Sequence, residues 1–543
     1  MCIRDSATID SVPTFHVENF GCRATQADGA ALERQFETRG LARASAAQAD
    51  LVILNTCTVT NSADQDARAA IRRVQRQNPL AKIVVTGCYA QRAPQEIAAL
   101  PGVNAVIGNS HKHQLADIAL PIFSDLGWRS ASSAAIDPVN LIAASAAEVG
   151  SRGNHQGFLP LSTLTENREL RTENWIFISD IFAHTELLAA PVFEAVGELT
   201  QNARTRPNLK VQDGCDNRCS FCVIPSVRGH SRSLPFPQIV REVNTLVAAG
   251  YREVVISGIN LGRWGRDLAA DSGLWASGTI QEASRLEPTL GNLSPTAEIR
   301  NPRPAPAVPM PEARSPKPNF ESLIRSILAE TQLEKLRISS VEPMDWSDDL
   351  IALIAASPRI AKHAHVPLQS GSDAVLRRMH RKYRPWHYRE KIEKIRAAMP
   401  IAAIGTDVMA GFPGETNTEF EATRRLIEDL PFTYLHVFTY SARPGTPAAA
   451  MPNQVPVQIA RERNRILRDL AAEKKLAFMQ SLIGKPVEAI TLNVAHSKST
   501  GEFTEALTDN YQKLFLKGHH APNCWLVARI EDLDDGALVG LLT

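Results

Sequence analysis

Gln212-Asp213-Gly214-Cys215-Asp216-Asn217-Arg218-Cys219-Ser220-Phe221-Cys222 carries three cysteines in the spacing C-x3-C-x2-C. Three thiolates are one too few for a closed metal site, because a structural zinc takes four ligands. A zinc knuckle would need His230 as its fourth ligand, although zinc sites usually pair their cysteines as C-x2-C. A 4Fe-4S cluster held by three cysteines would leave one iron open to a substrate or cofactor.

Working outward from this loop, the chain alternates strand and helix patterns. Downstream, Val254-Val255-Ile256-Ser257-Gly258, Leu336 to Ser340, Ala364 to Leu368, Ala403 to Val408 and Tyr434 to Phe438 read as buried strands. Polar and glycine residues collect just after them, where β/α barrels place their chemistry. Upstream, Thr14 to Lys112 reads as repeated β-α units and predicts a doubly wound parallel sheet. Cys22, Cys57 and Cys88 each follow the carboxyl end of a predicted strand, 35 and 31 residues apart. Ligands bind along that edge of an open parallel sheet, so these three thiols are expected to converge on a second cluster. The plainer alternative is three unrelated buried thiols. Cys2 and Cys524 belong to neither set, and Cys524 reads as a core residue.

Composition sets wider bounds. The chain has 543 residues, 44% hydrophobic and 22% charged, as in soluble globular proteins. With 59 Lys+Arg against 58 Asp+Glu the net charge is +1, so any nucleic-acid surface has to be local. No apolar run reaches the ~18 residues of a membrane span. Met1 to Pro13 lacks the apolar core of a secretion signal, and its first six residues read as a mis-called start. A cytoplasmic, reducing setting is expected, in which clustered cysteines bind metal or act in catalysis.

With both cysteine sets read, the chain resembles the radical S-adenosylmethionine (SAM) methylthiotransferases. Leu54-Asn55-Thr56-Cys57-Thr58-Val59-Thr60-Asn61 and Thr86-Gly87-Cys88-Tyr89-Ala90-Gln91 are most similar to the branch acting on threonylcarbamoyladenosine in tRNA. The resemblance implies an N-terminal methylthiotransferase domain (14–120), a linker or insertion (121–203), a radical SAM partial (β/α) barrel (204–482) and a C-terminal TRAM β-barrel (483–543). It implies two 4Fe-4S clusters, one on Cys215, Cys219 and Cys222 and an auxiliary one on Cys22, Cys57 and Cys88. It also implies SAM contacts from Phe221, Gly258, Asn260, Glu342, Asp407, Gly411 and Gly414, with Gln369 and Ser370 facing the reacting centre. In the reaction so implied, reductive cleavage of SAM gives a deoxyadenosyl radical that removes hydrogen from carbon 2 of the adenine. The auxiliary cluster supplies sulfur, and a second SAM the methyl group. Sister branches act on isopentenyladenosine in tRNA or on a ribosomal-protein aspartate. An electron donor such as a flavodoxin or ferredoxin is expected, and a monomer. A barrel kept only for non-catalytic RNA binding is disfavoured by six intact ligand cysteines.

Two stretches fit less well. Segment 121–203 is longer than a linker, and 268–319 holds nine prolines between Pro288 and Pro318 and reads as disordered. For tRNA, the basic run with Arg381 and Lys382, the arginines of 68–76 and those of 461–475 are candidate phosphate contacts. The last domain has five Lys/Arg against eight Asp/Glu. Lys513 and Lys517 are expected on its RNA face, with Glu531 to Asp535 turned away.

Overall fold

Leu51-Val52-Ile53-Leu54-Asn55-Thr56 forms a strand (β3) whose six residues are all buried, as a strand covered on both faces requires. It sits within a six-stranded sheet with β1 (Thr14–Asn19), β2 (Ala42–Arg43), β4 (Lys82–Gly87), β5 (Val103–Gly108) and β6 (Trp175–Phe177). The order is β2-β1-β3-β4-β5-β6, parallel throughout. Helices α1 (Arg23–Glu37) and α2 (Asn61–Gln77) connect the first strands, and the one-turn helix α3 (Cys88–Arg92) follows β4. This is a computed structural model, and it describes residues 12–123, 175–188, 205–268, 318–498 and 501–543. Most of the two expected insertions lies outside those residues. One piece does not: β6 extends the N-terminal sheet beside β5, so part of the expected linker or insertion 121–203 belongs to the sheet.

The middle of the chain builds an incomplete barrel. Strands β7 (Asn208–Asp213), β9 (Glu253–Gly258) and β10 (Lys335–Ile338) run parallel, with the two-residue β8 (Arg232–Ser233) antiparallel at the edge. Strands β11 (His363–His365), β12 (Ala403–Ala410) and β13 (Tyr434–Thr439) form a second parallel set. Bridges Leu336–Ile360 and Ser340–His365 join the two sets. One apolar core runs beneath both, from Leu209 to Leu467.

Among the described residues the edge strands β8 and β13 do not pair, and the N-terminal domain contacts the barrel both at β7 and beyond β13. The Asn208 amide of β7 donates to the Arg23 carbonyl at 2.7 Å, and Arg443, beyond β13, pairs with Asp64 at 2.6 Å. The chain ends in a closed five-stranded barrel, β14 (Pro486–Lys498), β15 (Gly501–Thr508), β16 (Lys513–Lys517), β17 (Trp525–Asp534) and β18 (Ala537–Leu542). Arg337 ties it to the larger barrel by donating to the carbonyls of Thr508 and Asp509. Cys524 precedes β17 and is half-buried, so it is not a core residue.

Candidate active site

Gly21 adopts φ +98°, and a Cβ there would stand 2.4 Å from Cys57 Cβ. Only glycine lets the turn after β1 bring Cys22 beside Cys57. Cys88 opens α3 after β4, so the three strand-end thiols converge. Burial, then the neighbouring Cys88 and Cys22, push the Cys57 thiol up to about 12. Donors face the sulfurs: Asn109 Nδ2 donates to Cys88 Sγ at 3.5 Å, and Thr25 Oγ1 lies 3.4 Å from Cys22 Sγ.

Beneath these thiols lies a buried ionic network. Asp28 and Lys112 come from the N-terminal domain; Lys210, Asp213 and Arg228 come from the barrel. Lys112 Nζ is 3.1 Å from Asp28, Arg228 Nη2 3.0 Å from Asp28 and Nη1 2.9 Å from Asp213, and Lys210 pairs with both acids. Burial pushes the Asp28 carboxyl upward, but the three cations outweigh it and hold it well below the usual range. Three cations against two carboxylates leave a positive excess, which suits thiolate ligands nearby.

The other thiols line a single loop. Cys215 accepts from the Asn217 amide at 3.4 Å and from Asn260 Nδ2 at 3.6 Å. Cys219 accepts from Arg381 Nη1 at 3.4 Å. Burial pushes Cys222 up to about 12. Hydrogen-bond donors aimed at sulfur stabilise the thiolate that a metal needs. Among the described residues, His365, Asp407 and His436 bring one ligand atom each to within 4.8 Å of one another. His230 pairs with Asp216 at 2.8 Å. A zinc knuckle would have to draw His230 away from this partner.

The two cysteine sets meet. Cys222 leads into the short helix Ile224–Arg228, and Cys88 packs on Val223 and Val227. Beside them the barrel lumen carries polar side chains from alternate strand positions. His365 and His436 lie 3.4 and 3.3 Å from Asp407 Oδ1, and Ser340 Oγ is 2.7 Å from His365 Nδ1. Burial raises the Asp407 carboxyl, but the two histidine hydrogen bonds outweigh it and the net shift is downward. Gly405 has no Cβ because one would meet the Tyr434 ring at 1.9 Å; the ring crosses β12 there and its hydroxyl reaches His363 Nε2 at 2.6 Å.

The residues expected around SAM are distributed as follows. Asn260 reaches Cys215, and Glu342 is joined to Cys219 through Arg381, which contacts both. Phe221 sits edge-on to Phe412, 6.5 Å between centroids. Gly258 abuts the Gln212 side chain, whose Oε1 accepts from the Asn260 amide at 2.7 Å. Gly411 and Gly414 turn with positive φ, and the Glu415 carboxylate accepts from the Gly411 amide at 2.8 Å. Gln369 holds φ +65°, a strained value for a side-chain-bearing residue, between the backbones of Asp407 and Met409.

Several expectations need correction. Ser370 does not face a reacting centre; it is fully buried, its hydroxyl 3.1 Å from Thr423 Oγ1. Arg381 is no phosphate contact, being buried against Glu342, Tyr383 and Cys219, while its neighbour Lys382 is exposed. Lys513 pairs with Glu505 at 3.0 Å, and Lys517 with Glu531 at 2.7 Å, so Glu531 is not turned away. His365, His436 and the network around Arg228 were not singled out from sequence. The alternation His363-x-His365 within a buried strand was the available signal for the first.

Residues 14–108 match the family model described as Uncharacterized protein family UPF0004, and 209–266 with 306–427 match the Radical SAM superfamily. The chain is 30% identical to the threonylcarbamoyladenosine tRNA methylthiotransferase MtaB of Bacillus subtilis, over 93% of this chain and 90% of that one. It is 32% identical to the protein of the same name from Rickettsia prowazekii, over 89% of each. It is also 31% identical to the tRNA-2-methylthio-N(6)-dimethylallyladenosine synthase of Novosphingobium aromaticivorans, over 88% of this chain and 87% of that one. The chain belongs to the radical SAM methylthiotransferase family. As a radical SAM methylthiotransferase it is a transferase, and its family uses a 4Fe-4S cluster and SAM. No helix among the described residues is long and apolar enough to cross a membrane.

Proposed function

We propose that this methylthiotransferase acts on tRNA, converting threonylcarbamoyladenosine at anticodon-loop position 37 to its 2-methylthio derivative. The observation that carries this reading is the meeting of two three-cysteine sites at one short helix, Ile224–Arg228, beside a polar lumen. The residues fit a 4Fe-4S cluster at each set. A cluster on Cys215, Cys219 and Cys222 would supply the electron for SAM cleavage, and one on Cys22, Cys57 and Cys88 the sulfur. The chain's own part is binding, orientation and exclusion of water. Asn260 and Arg381 steady the first set of thiols, and Glu342, held by Arg381, stands beside it to receive the SAM ribose. Arg228 and Lys112 offset the negative charge of the second. Asp407, whose carboxylate lies against His365 and His436, offers a hydrogen-bond acceptor for SAM, in keeping with the contact the resemblance implies.

The substrate follows the naming of the full-length relatives, five of which are threonylcarbamoyladenosine methylthiotransferases. The test incubates anaerobically reconstituted protein with SAM, a flavodoxin or ferredoxin reducing system, and tRNA bearing either modified adenosine. Nucleoside mass spectrometry should find the methylthio product from threonylcarbamoyladenosine. Product only from isopentenyladenosine, or only on a ribosomal protein, would replace this substrate assignment.

A further inference from the structure

Where the N-terminal domain, the barrel and the C-terminal barrel meet, there is a cavity of about 490 Å³. Its size suits a small polar ligand or side group. Arg23, the residue after Cys22, lines it, although no cysteine does. Arg206, Asn208, Leu492, Val494 and Tyr511 complete the wall used here.

The charge of this wall is one-sided. Two arginines line the cavity and no carboxylate does. Arg23 Nη2 donates to the Tyr511 hydroxyl at 2.8 Å and its guanidinium lies 5.7 Å from that ring's centroid; no carboxylate among the described residues pairs with it. Arg206 approaches Glu253 only at 3.5 Å, and that acid already accepts from Arg337 Nε at 2.6 Å. Both arginines therefore have donors to spare. Asn208 uses its amide nitrogen on the Arg23 carbonyl, and its Oδ1 is buried with no partner. A buried acceptor left unpaired is costly unless a ligand donor meets it. The cavity thus asks for a carboxylate beside an N–H or O–H donor, with a small apolar group against Leu492 and Val494.

We infer that this cavity receives the amino-acid side group of the modified nucleoside, Arg23 and Arg206 taking its carboxylate and Asn208 Oδ1 a ureido N–H or hydroxyl. The inference rests on the substrate reading above and deepens it. The threonylcarbamoyl group carries a carboxylate, a hydroxyl, N–H groups and a methyl. An isopentenyl group carries no polar atom of its own and would leave both arginines and Asn208 unpaired. Arginine binds carboxylates through paired donors, and sites built on hydrogen bonds reject analogues lacking them far more strongly than apolar pockets do.

The test uses reconstituted protein and anticodon stem-loops carrying threonylcarbamoyladenosine, its methyl ester or isopentenyladenosine. Equilibrium binding without reductant and kcat/KM with it are both measured. The parent should favour the free acid over the ester by about tenfold or more. Arg206→Gln, whose hydrogen bond goes to Glu253 and not to a cysteine, should erase that preference mainly through KM, with iron content unchanged. Asn208→Asp should weaken the acid more than the ester. Arg23→Gln should match Arg206→Gln in binding. A parent that treats acid and ester alike, or an Arg206→Gln variant that keeps the full preference, would overturn the inference while leaving the substrate reading intact. A parent that methylthiolates only the isopentenyl stem-loop would overturn both.

Discussion

Arg228 Nη2 donates to Asp28 Oδ2 at 3.0 Å, and the two residues lie on opposite sides of the junction between the parallel sheet and the barrel. Both are almost fully buried. The bond joins the element that follows the C-x3-C-x2-C loop to the helix that starts beside Cys22. It thereby fixes one thiol set relative to the other. Removing one member of a buried ionic group leaves its partners uncompensated, at a cost of about 3–5 kcal/mol. Arg228→Met should lower the urea midpoint of the metal-free protein accordingly, and Arg228→Lys should lower it less.

Acid should weaken the same junction. The Asp28 carboxyl is held below its ordinary value in the folded chain, so its contribution is fully present above the unfolded pKa of about 3.9. It is lost as the pH falls through the folded value. The stability difference between the parent and Asp28→Asn should therefore be constant from pH 5 to 7 and shrink below about pH 4. Thermal unfolding across that range measures it.

Arg381 contacts Cys219, Glu342 and Tyr383 from a buried position. Arg381→Ala should lower SAM cleavage, measured as deoxyadenosine released, by at least about tenfold, the scale of one lost charge-assisted contact. Its effect on the salt dependence of tRNA binding should be nil, since the side chain does not face solvent.

Phosphate contacts are expected instead on α2. Arg72 and Arg76 are exposed, and no carboxylate among the described residues pairs with them. Each, changed to Gln, should reduce the slope of log binding constant against log salt by about one. Lys513→Gln and Lys517→Gln, whose charges already meet Glu505 and Glu531, should change that slope less.

Much of this architecture was legible in the chain because its signals are local. The all-buried Leu51–Thr56 and the run Lys82–Gly87 announce strands within six residues each, and Cys57 and Cys88 follow from where those strands end. β6 was missed because three residues, Trp175–Phe177, are too few to show a period. The Arg228–Asp28 bond spans 200 residues of sequence, and no local pattern encodes such a pairing. Arg381 read as part of a basic surface run because burial is invisible in composition; the fold turns it inward while Lys382 stays outside.

The proposed reaction depends on two iron–sulfur sites, each built on three thiols. Iron and sulfide per chain, counted after anaerobic reconstitution, test it most directly. The parent should hold about eight irons, and the triple variant Cys22→Ala, Cys57→Ala, Cys88→Ala about four, with SAM cleavage retained and methylthio product lost. About four irons in both proteins would contradict the account, leaving the strand-end thiols without a cluster.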